Sequence, residues 1–227
     1  MSTEIKPPFT SVKHFESSKR CSGCGITEAQ LRKKNGGALL ACARCKWTRY
    51  CSQECQKGEW PAHKSKCTTN ANTANALASK PEVHPKLLSD FRAWLPHVVK
   101  PVAWTTLNAL EAKTKPQEIS SKCFFIELIH VPEGKTPRER FRLKECAVWP
   151  RALAKAAVAH DRLVADDFEK TLEKRGNAVA PVVVKVGEVV KVIGFDSSEA
   201  ALESHNHYDD WATSGVLEKS VSGEMRF

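Results

Sequence analysis

At 227 residues the chain has room for one ordinary domain and a small module. Its 41% hydrophobic and 27% charged residues are globular composition, and nothing in it approaches the roughly 18 consecutive apolar residues that mark a membrane span. The net charge is +9 and is nearly all local: residues 19–67 hold eleven Lys and Arg against three acids, a net +8. Such a segment suits an acidic partner or a nucleic acid, or it offsets an anionic cluster of its own.

In chain order, residues 1–20 read as a flexible arm with Pro7 and Pro8 as breakers. Met1 to Lys13 lacks an apolar core of signal-peptide length, so the expected location is nuclear or cytoplasmic. Thiols stay reduced there, and nine cysteines then suit metal ligands or free thiols better than disulfides. Seven of the nine fall in residues 21–67, a cysteine-rich module; Cys123 and Cys146 read as small hydrophobes on strands. Residues 68–85 (TTNANTANALASKPEVHP) read as a polar linker.

Residues 86–227 read as a separate α+β domain of unknown role. Leu87, Leu88, Phe91, Trp94 and Leu95 are spaced as one face of a helix that Pro96 would end, with a second helix over 101–113. Cys123–Val131 has the length and apolarity of a strand, and 138–148 alternates through Phe141, Leu143 and Ala147. A long helix is predicted from the stripe Leu153, Ala157, His160, Leu163, Val164, Phe168 and Leu172, stopping at Gly176. Val182–Val192 fits either a hairpin turning at Gly187-Glu188 or one long strand, and a short helix near 197–211 closes the domain. The mixed order is α+β rather than a doubly wound sheet.

The cysteines form a constellation: Cys21-x2-Cys24, Cys42-x2-Cys45, Cys51-x3-Cys55 and His63-x3-Cys67. Four pairs make eight ligands, the number that two tetrahedral zinc ions need. A two-residue gap lets a tight turn aim both sulfurs at one ion, whereas i and i+4 share a helix face. Cys51/Cys55 and His63/Cys67 are therefore expected on two short helices, Pro61 opening the second. Spacing alone leaves open how the eight divide between the two ions. With four protein ligands each, both sites are closed, hence structural, and zinc binding supplies the folding free energy that so small a core lacks.

Beyond the ligand pairs, the run Arg49-Tyr50-Cys51-Ser52-Gln53-Glu54-Cys55-Gln56, then Trp60, then His63-Lys64-x2-Cys67, resembles the MYND zinc finger. The resemblance covers about 47 residues. The 17-residue gap between Cys24 and Cys42 is long for the family and reads as a flexible loop around Gly36-Gly37 that leaves the zinc sites alone. The resemblance implies interleaved sites, with Cys21, Cys24, Cys51 and Cys55 on one zinc and Cys42, Cys45, His63 and Cys67 on the other. It also implies a protein-interaction module recognising short proline-containing peptides through Gln56 and Trp60. A third groove position, often Ser in the family, is Ala43 here, which removes one hydrogen bond. Trp47 and Tyr50 read as core supports. The order of finger and α+β region resembles MYND-containing proteins of mushroom-forming fungi.

An enzyme is not expected. A methyltransferase of the SET type would place catalytic sequence before the finger, and 20 residues precede Cys21; the string His205-Asn206-His207-Tyr208 lacks a cofactor-site context. His205 and His207 with Asp209 and Asp210 read as a solvated face, and no phosphate-cradling glycine loop or nucleophile elbow is present. A nucleic-acid role is the alternative for the basic charge, though no stacked aromatic set or recognition helix accompanies it.

Overall fold

The computed structural model describes residues 20–159, 162–173, 178–187, 189–203 and 215–222. His160, Gly176 and the stretch from His205 to Asp210 lie outside them, as do residues 1–19. The chain divides into two compact units with a boundary between Leu88 and Ser89. Among the described residues no helix is long and apolar enough to cross a membrane.

The first unit is the cysteine-rich module. It holds a short helix α1 (Glu28–Asn35), a hairpin of two-residue strands β1 (Leu40–Ala41) and β2 (Arg49–Tyr50), and a long helix α2 (Gln53–Ala78). Two expectations fail here. The Cys24–Cys42 gap is not a loop that leaves the sites alone. Thr27 caps α1 reciprocally with Gln30, Gly36 ends it in the left-handed conformation, and Leu31 and Leu39 enter the same core as the cysteines. The two short helices are one: α2 continues through Pro61, past Cys67 and to Ala78, so residues 68–78 of the expected linker are helical. Pro61 removes one backbone donor at a cost of about 3 kcal/mol. His63 and Cys67 beyond it are buried with the core, and that anchorage keeps the helix continuous.

The second unit is α+β, as the sequence implies. Helix α3 (Leu87–Ala109) opens it and contains both Pro96 and Pro101, where sequence reasoning ends one helix and starts another. Phe91, Trp94, Val98 and Val102 keep helical spacing across both prolines and are fully buried. Each contributes about 1.5–3 kcal/mol, enough to offset two interior prolines. The sheet has the order β4-β3-β5-β6, built from β3 (Lys122–His130), β4 (Phe141–Pro150), β5 (Val179–Val186) and β6 (Val189–Asp196). β3 runs antiparallel to β4, with a bulge at Glu127/Leu128, and parallel to β5.

Central strands buried on both faces explain the continuous apolar run of β3. Cys123, Phe125, Val183 and Val192 pack on Ala154, Val158 and Phe168, while Phe124, Ile126, Val182 and Val184 are buried on the opposite face. Of the two readings of Val182–Val192, the hairpin holds: Val186 pairs with Val189 across a two-residue connection, and Gly187 has φ 52°.

The predicted long helix after β4 is two, α4 (Arg151–Val158) and α5 (Arg162–Glu173), and the buried stripe of α4 is one residue off the expected one. Ala154 and Val158 face the sheet, whereas Leu153 is half exposed. Small residues at those positions let α4 lie close to Phe125 and Cys123. Short helices α6 (Glu199–Leu202) and α7 (Val216–Val221) follow, and α6 is the described part of the helix expected over 197–211. The Trp94 indole donates to the Val221 carbonyl at 3.2 Å, and the buried Asp90 carboxylate joins α3 to Arg140 at 2.5 Å and His130 at 3.0 Å.

Candidate metal centre

Two turns of the same design present the first four cysteines. In each, the amide four residues after the leading cysteine donates back to that cysteine's carbonyl at 2.9 Å: Gly25 to Cys21, and Lys46 to Cys42. Both turns need a left-handed residue at that fourth position, with φ 76° at Gly25 and 62° at Lys46. The Cys21 amide donates to Ile26 and the Cys42 amide to Thr48, each at 2.8 Å, which closes the loops. The second turn is the tip of the β1–β2 hairpin. The first is tied to β2 by Ser22 N–H on the Arg49 carbonyl at 2.9 Å. A Cβ on Gly23 would lie 2.9 Å from the Cys55 carbonyl, so the first knuckle sits against the start of α2 only because residue 23 is glycine.

The remaining four ligands come from α2 and the residue before its cap. Ser52 caps the helix through the Cys55 amide, which sets Cys51 and Cys55 side by side, their sulfurs 3.5 Å apart. His63 and Cys67 lie two and three turns further on. The ligand atoms gather into two groups, each within 4.8 Å: Cys21, Cys24, Cys51, Cys55 and Cys42, Cys45, His63, Cys67. The division is the interleaved one.

The donor spacing fits tetrahedral zinc. Four sulfurs about 2.3 Å from one ion stand about 3.8 Å from each other, and His nitrogen, at about 2.0–2.1 Å, shortens that slightly. Cys24–Cys51 is 3.5 Å, Cys42–Cys67 is 3.8 Å, and Cys45 Sγ to His63 Nε2 is 3.6 Å. All nine cysteines are free thiols. The two clusters fit two structural zinc ions, and four protein donors at each leave no position for a reacting water.

Electrostatics around the sulfurs favours metal entry. Burial opposes ionisation of Cys21, but backbone hydrogen bonds from Cys24, Cys51 and Gly23 outweigh it and bring the thiol down to about 6. Cys42 also comes down to about 6: burial opposes this, and the Cys45 backbone, the His63 side chain and the Arg44 backbone outweigh it. Burial first, then sharing with its neighbours, pushes Cys51 up to about 12 and Cys67 up to about 11. Each cluster thus contains one cysteine inclined to the thiolate form that binds zinc, and zinc displaces the protons of Cys51 and Cys67.

Of the residues that support the ligands, Thr48 and Glu59 escaped the sequence reading, whereas Tyr50 is the core support expected. With His63 Nε2 turned to the metal, its Nδ1–H donates to Thr48 Oγ1 at 3.2 Å, fixing the ring. Tyr50 is buried, its phenol held neutral by burial and by Glu59, and it donates to Glu59 Oε2 at 2.5 Å. Its ring meets His63 edge-on at 5.9 Å. Only the recurrence of small polar residues next to ligands could have signalled Thr48.

Gln56 and Trp60 are both half-buried on α2. The Gln56 amide nitrogen lies 4.0 Å from Cys42 Sγ, and the Trp60 ring packs edge-on to His63 at 6.0 Å. Ala43 is exposed at the hairpin tip, Leu40 on β1 is 62% exposed, and Trp47 packs on the finger core.

Residues 11–67 match the MYND finger family. Similar proteins include the N-lysine methyltransferase SMYD2 of Gallus gallus, 36% identical over 94 residues, which are 35% of this chain and 20% of that protein. Deformed epidermal autoregulatory factor 1 of Drosophila melanogaster is 39% identical over 57 residues, 25% of this chain and 8% of that one. Dauer abnormal formation protein 25 of Caenorhabditis elegans is 46% identical over 48 residues, 21% and 10% of the two chains. The chain thus spans a fifth or less of the length of these relatives. No solved structure matches it. The likeness to the methyltransferase is partial and covers the finger region, and a MYND finger is by itself non-enzymatic. The cysteine-rich module of this chain is a MYND finger, a zinc-held protein-interaction module.

Proposed function

We propose that the finger recognises short, extended, proline-containing segments of other proteins, with Gln56 and Trp60 as the contact residues. The observation that carries this is their placement one turn apart on the helix that holds the zinc ligands. Trp60 rests one edge on His63, so a rigid aromatic surface is held in place by the metal. Proline rings pack well on such a surface. Gln56 turns its amide nitrogen towards the Cys42 sulfur, which leaves its carbonyl oxygen to accept from a peptide N–H. β1 is an edge strand of the two-stranded sheet, where an extended segment can add, whereas the Arg49 carbonyl on β2 is taken by Ser22 N–H.

In this reading residues 1–20 are an arm, 21–67 the binding module, 68–85 a connector and 86–227 a domain without catalytic activity of its own. The protein works in the nucleus or cytoplasm, where reduced thiols keep the zinc.

The test is Trp60→Ala in the full chain. Trp is a frequent hot-spot residue, so affinity for a proline-containing peptide falls by about 2 kcal/mol or more, roughly thirtyfold. Metal analysis still returns two zinc ions per chain. Peptide affinity unchanged by the substitution removes the groove assignment.

A further inference from the structure

We propose that the segment bound by the finger is acidic: Asp or Glu residues flank its proline-containing core and meet Lys57, Lys64 and Arg44. This rests on the reading of Gln56 and Trp60 as the contact residues.

The case begins with unmatched charge. Seven thiolates and two Zn²⁺ ions lower the formal +8 of residues 19–67 by three, which leaves about +5 on the zinc-loaded module. The metal clusters therefore do not absorb the excess. Nor do ion pairs. Arg32, Lys33, Lys34, Arg44, Lys46, Lys57 and Lys64 are all exposed, and among the described residues none of them makes an ion pair. Two of the finger's three acids are committed elsewhere. Glu59 accepts from Tyr50, and Glu54 is held by Ser52 and its own backbone amide at the start of α2, reaching Lys57 only at Coulombic range.

The second unit shows the opposite habit. Lys115 pairs with Glu111, Lys122 with Glu118 and Glu111, Lys155 with Glu169, and Lys144 and Lys185 share Glu127. Five lysines are matched by acids there, whereas the seven cations named above are left open on the finger.

Position then selects three of the open charges. Lys57 and Lys64 stand three residues before and four after Trp60, so both adjoin it on the helix surface. On the other flank of Trp60, His63 and Cys67 turn towards the metal. Lys57 and Lys64 therefore border the side of Trp60 that faces away from the zinc. Arg44 follows Ala43 at the exposed hairpin tip. An apolar platform edged by unpaired cations is complementary to an apolar, proline-containing core with acidic flanks. A nucleic acid fits less well: Tyr50 is buried and Trp47 and Trp60 are half-buried against the core, so no row of open rings offers a stacking platform.

The test measures binding of three labelled peptides to the full zinc-loaded chain. They share a two-proline core and differ in flanks of Asp, Ser or Lys. Exposed charge pairs of this kind together give about tenfold tighter binding of the Asp peptide than of the Ser peptide at low salt, with the Lys peptide weakest. The gap closes as salt rises. In the triple variant Lys57→Glu, Lys64→Glu, Arg44→Glu the order inverts while two zinc ions remain bound. Equal binding of all three peptides overturns the acidic preference and leaves the groove standing. No binding by any of them overturns both. An Asp peptide that binds Trp60→Ala as tightly as the unmodified chain also overturns both, since charge alone would then be acting. An oligonucleotide that displaces the Asp peptide below the peptide's own dissociation constant reassigns the basic face to nucleic acid.

Discussion

The finger and the sheet unit close their cores by opposite means. Of the buried residues that form the finger core, Cys21, Cys42, Cys45 and Cys67 are metal ligands, which leaves Leu31, Leu39 and Tyr50 as its ordinary side chains. In the sheet unit Phe124, Phe125, Ile126, Phe168 and the valines of β5 fill both faces without help. The finger's stability is therefore a binding energy that depends on the concentration of a ligand, and the sheet's is a burial energy that does not.

Chelation sharpens this contrast most. Structural zinc in such modules carries about 10–16 kcal/mol per ion, far more than three buried side chains can replace. Under a strong chelator the amide resonances of residues 20–67 collapse to unfolded positions, while those of β3, β5 and β6 stay dispersed. Loss of both sets would break the comparison.

The converse experiment is Phe168→Ala. Removal of a fully buried ring costs about 3–5 kcal/mol, read as a lower urea midpoint for the sheet transition. Zinc content stays at two ions per chain; release of metal would show that the finger leans on the sheet. Within the finger, Thr48→Val deletes the acceptor that orients His63, so zinc affinity falls about 10–100-fold at the Cys42 cluster alone. Competition with a chelating dye resolves the two sites, and an equal fall at both would refute a local role. The smallest effect is Lys46→Gly. The left-handed conformation that Gly25 adopts freely is strained at Lys46, and relief of that strain, less the added chain entropy, raises stability by about 0.5 kcal/mol. A lower melting temperature at saturating zinc would show that the Lys46 side chain has a role in the turn.

The ligand set was legible because metal chemistry imposes spacing on the sequence itself: two-residue gaps at the knuckles and four-residue steps on α2. The strands were legible for the same kind of reason, since burial on both faces leaves β3 and β5 without polar interruptions. What misled was punctuation. Pro96 reads locally as a helix end and Pro61 and Pro101 as helix starts, and each boundary is overridden by anchors on the continuous helix, Cys67 for the first and Val98 and Val102 for the others. The opposite error hid α1. Thr27, Gln30 and Gly36 spell both of its ends, but the long gap between ligand pairs with its Gly36-Gly37 reads as a flexible loop. The register of α4 was unreadable because apolarity marks Leu153 as a core residue, whereas close packing on the sheet selects the smaller Ala154 and Val158.

The interleaved order of the ligand pairs bears on how the chain emerges during synthesis. Cys21 and Cys24 precede Cys51 by 30 and 27 residues, and in that interval come Cys42 and Cys45, which form a knuckle of the same design in the folded finger. The first cluster is complete once Cys55 has left the ribosome, the second only with Cys67, twelve residues or three helical turns later. The four cysteines of the two knuckles thus precede both cysteine and histidine ligands of α2, and by number alone they are donors enough for one tetrahedral ion. The division between the two sites is set by α2, because one rigid helix carries Cys55 to one cluster and His63 and Cys67 to the other.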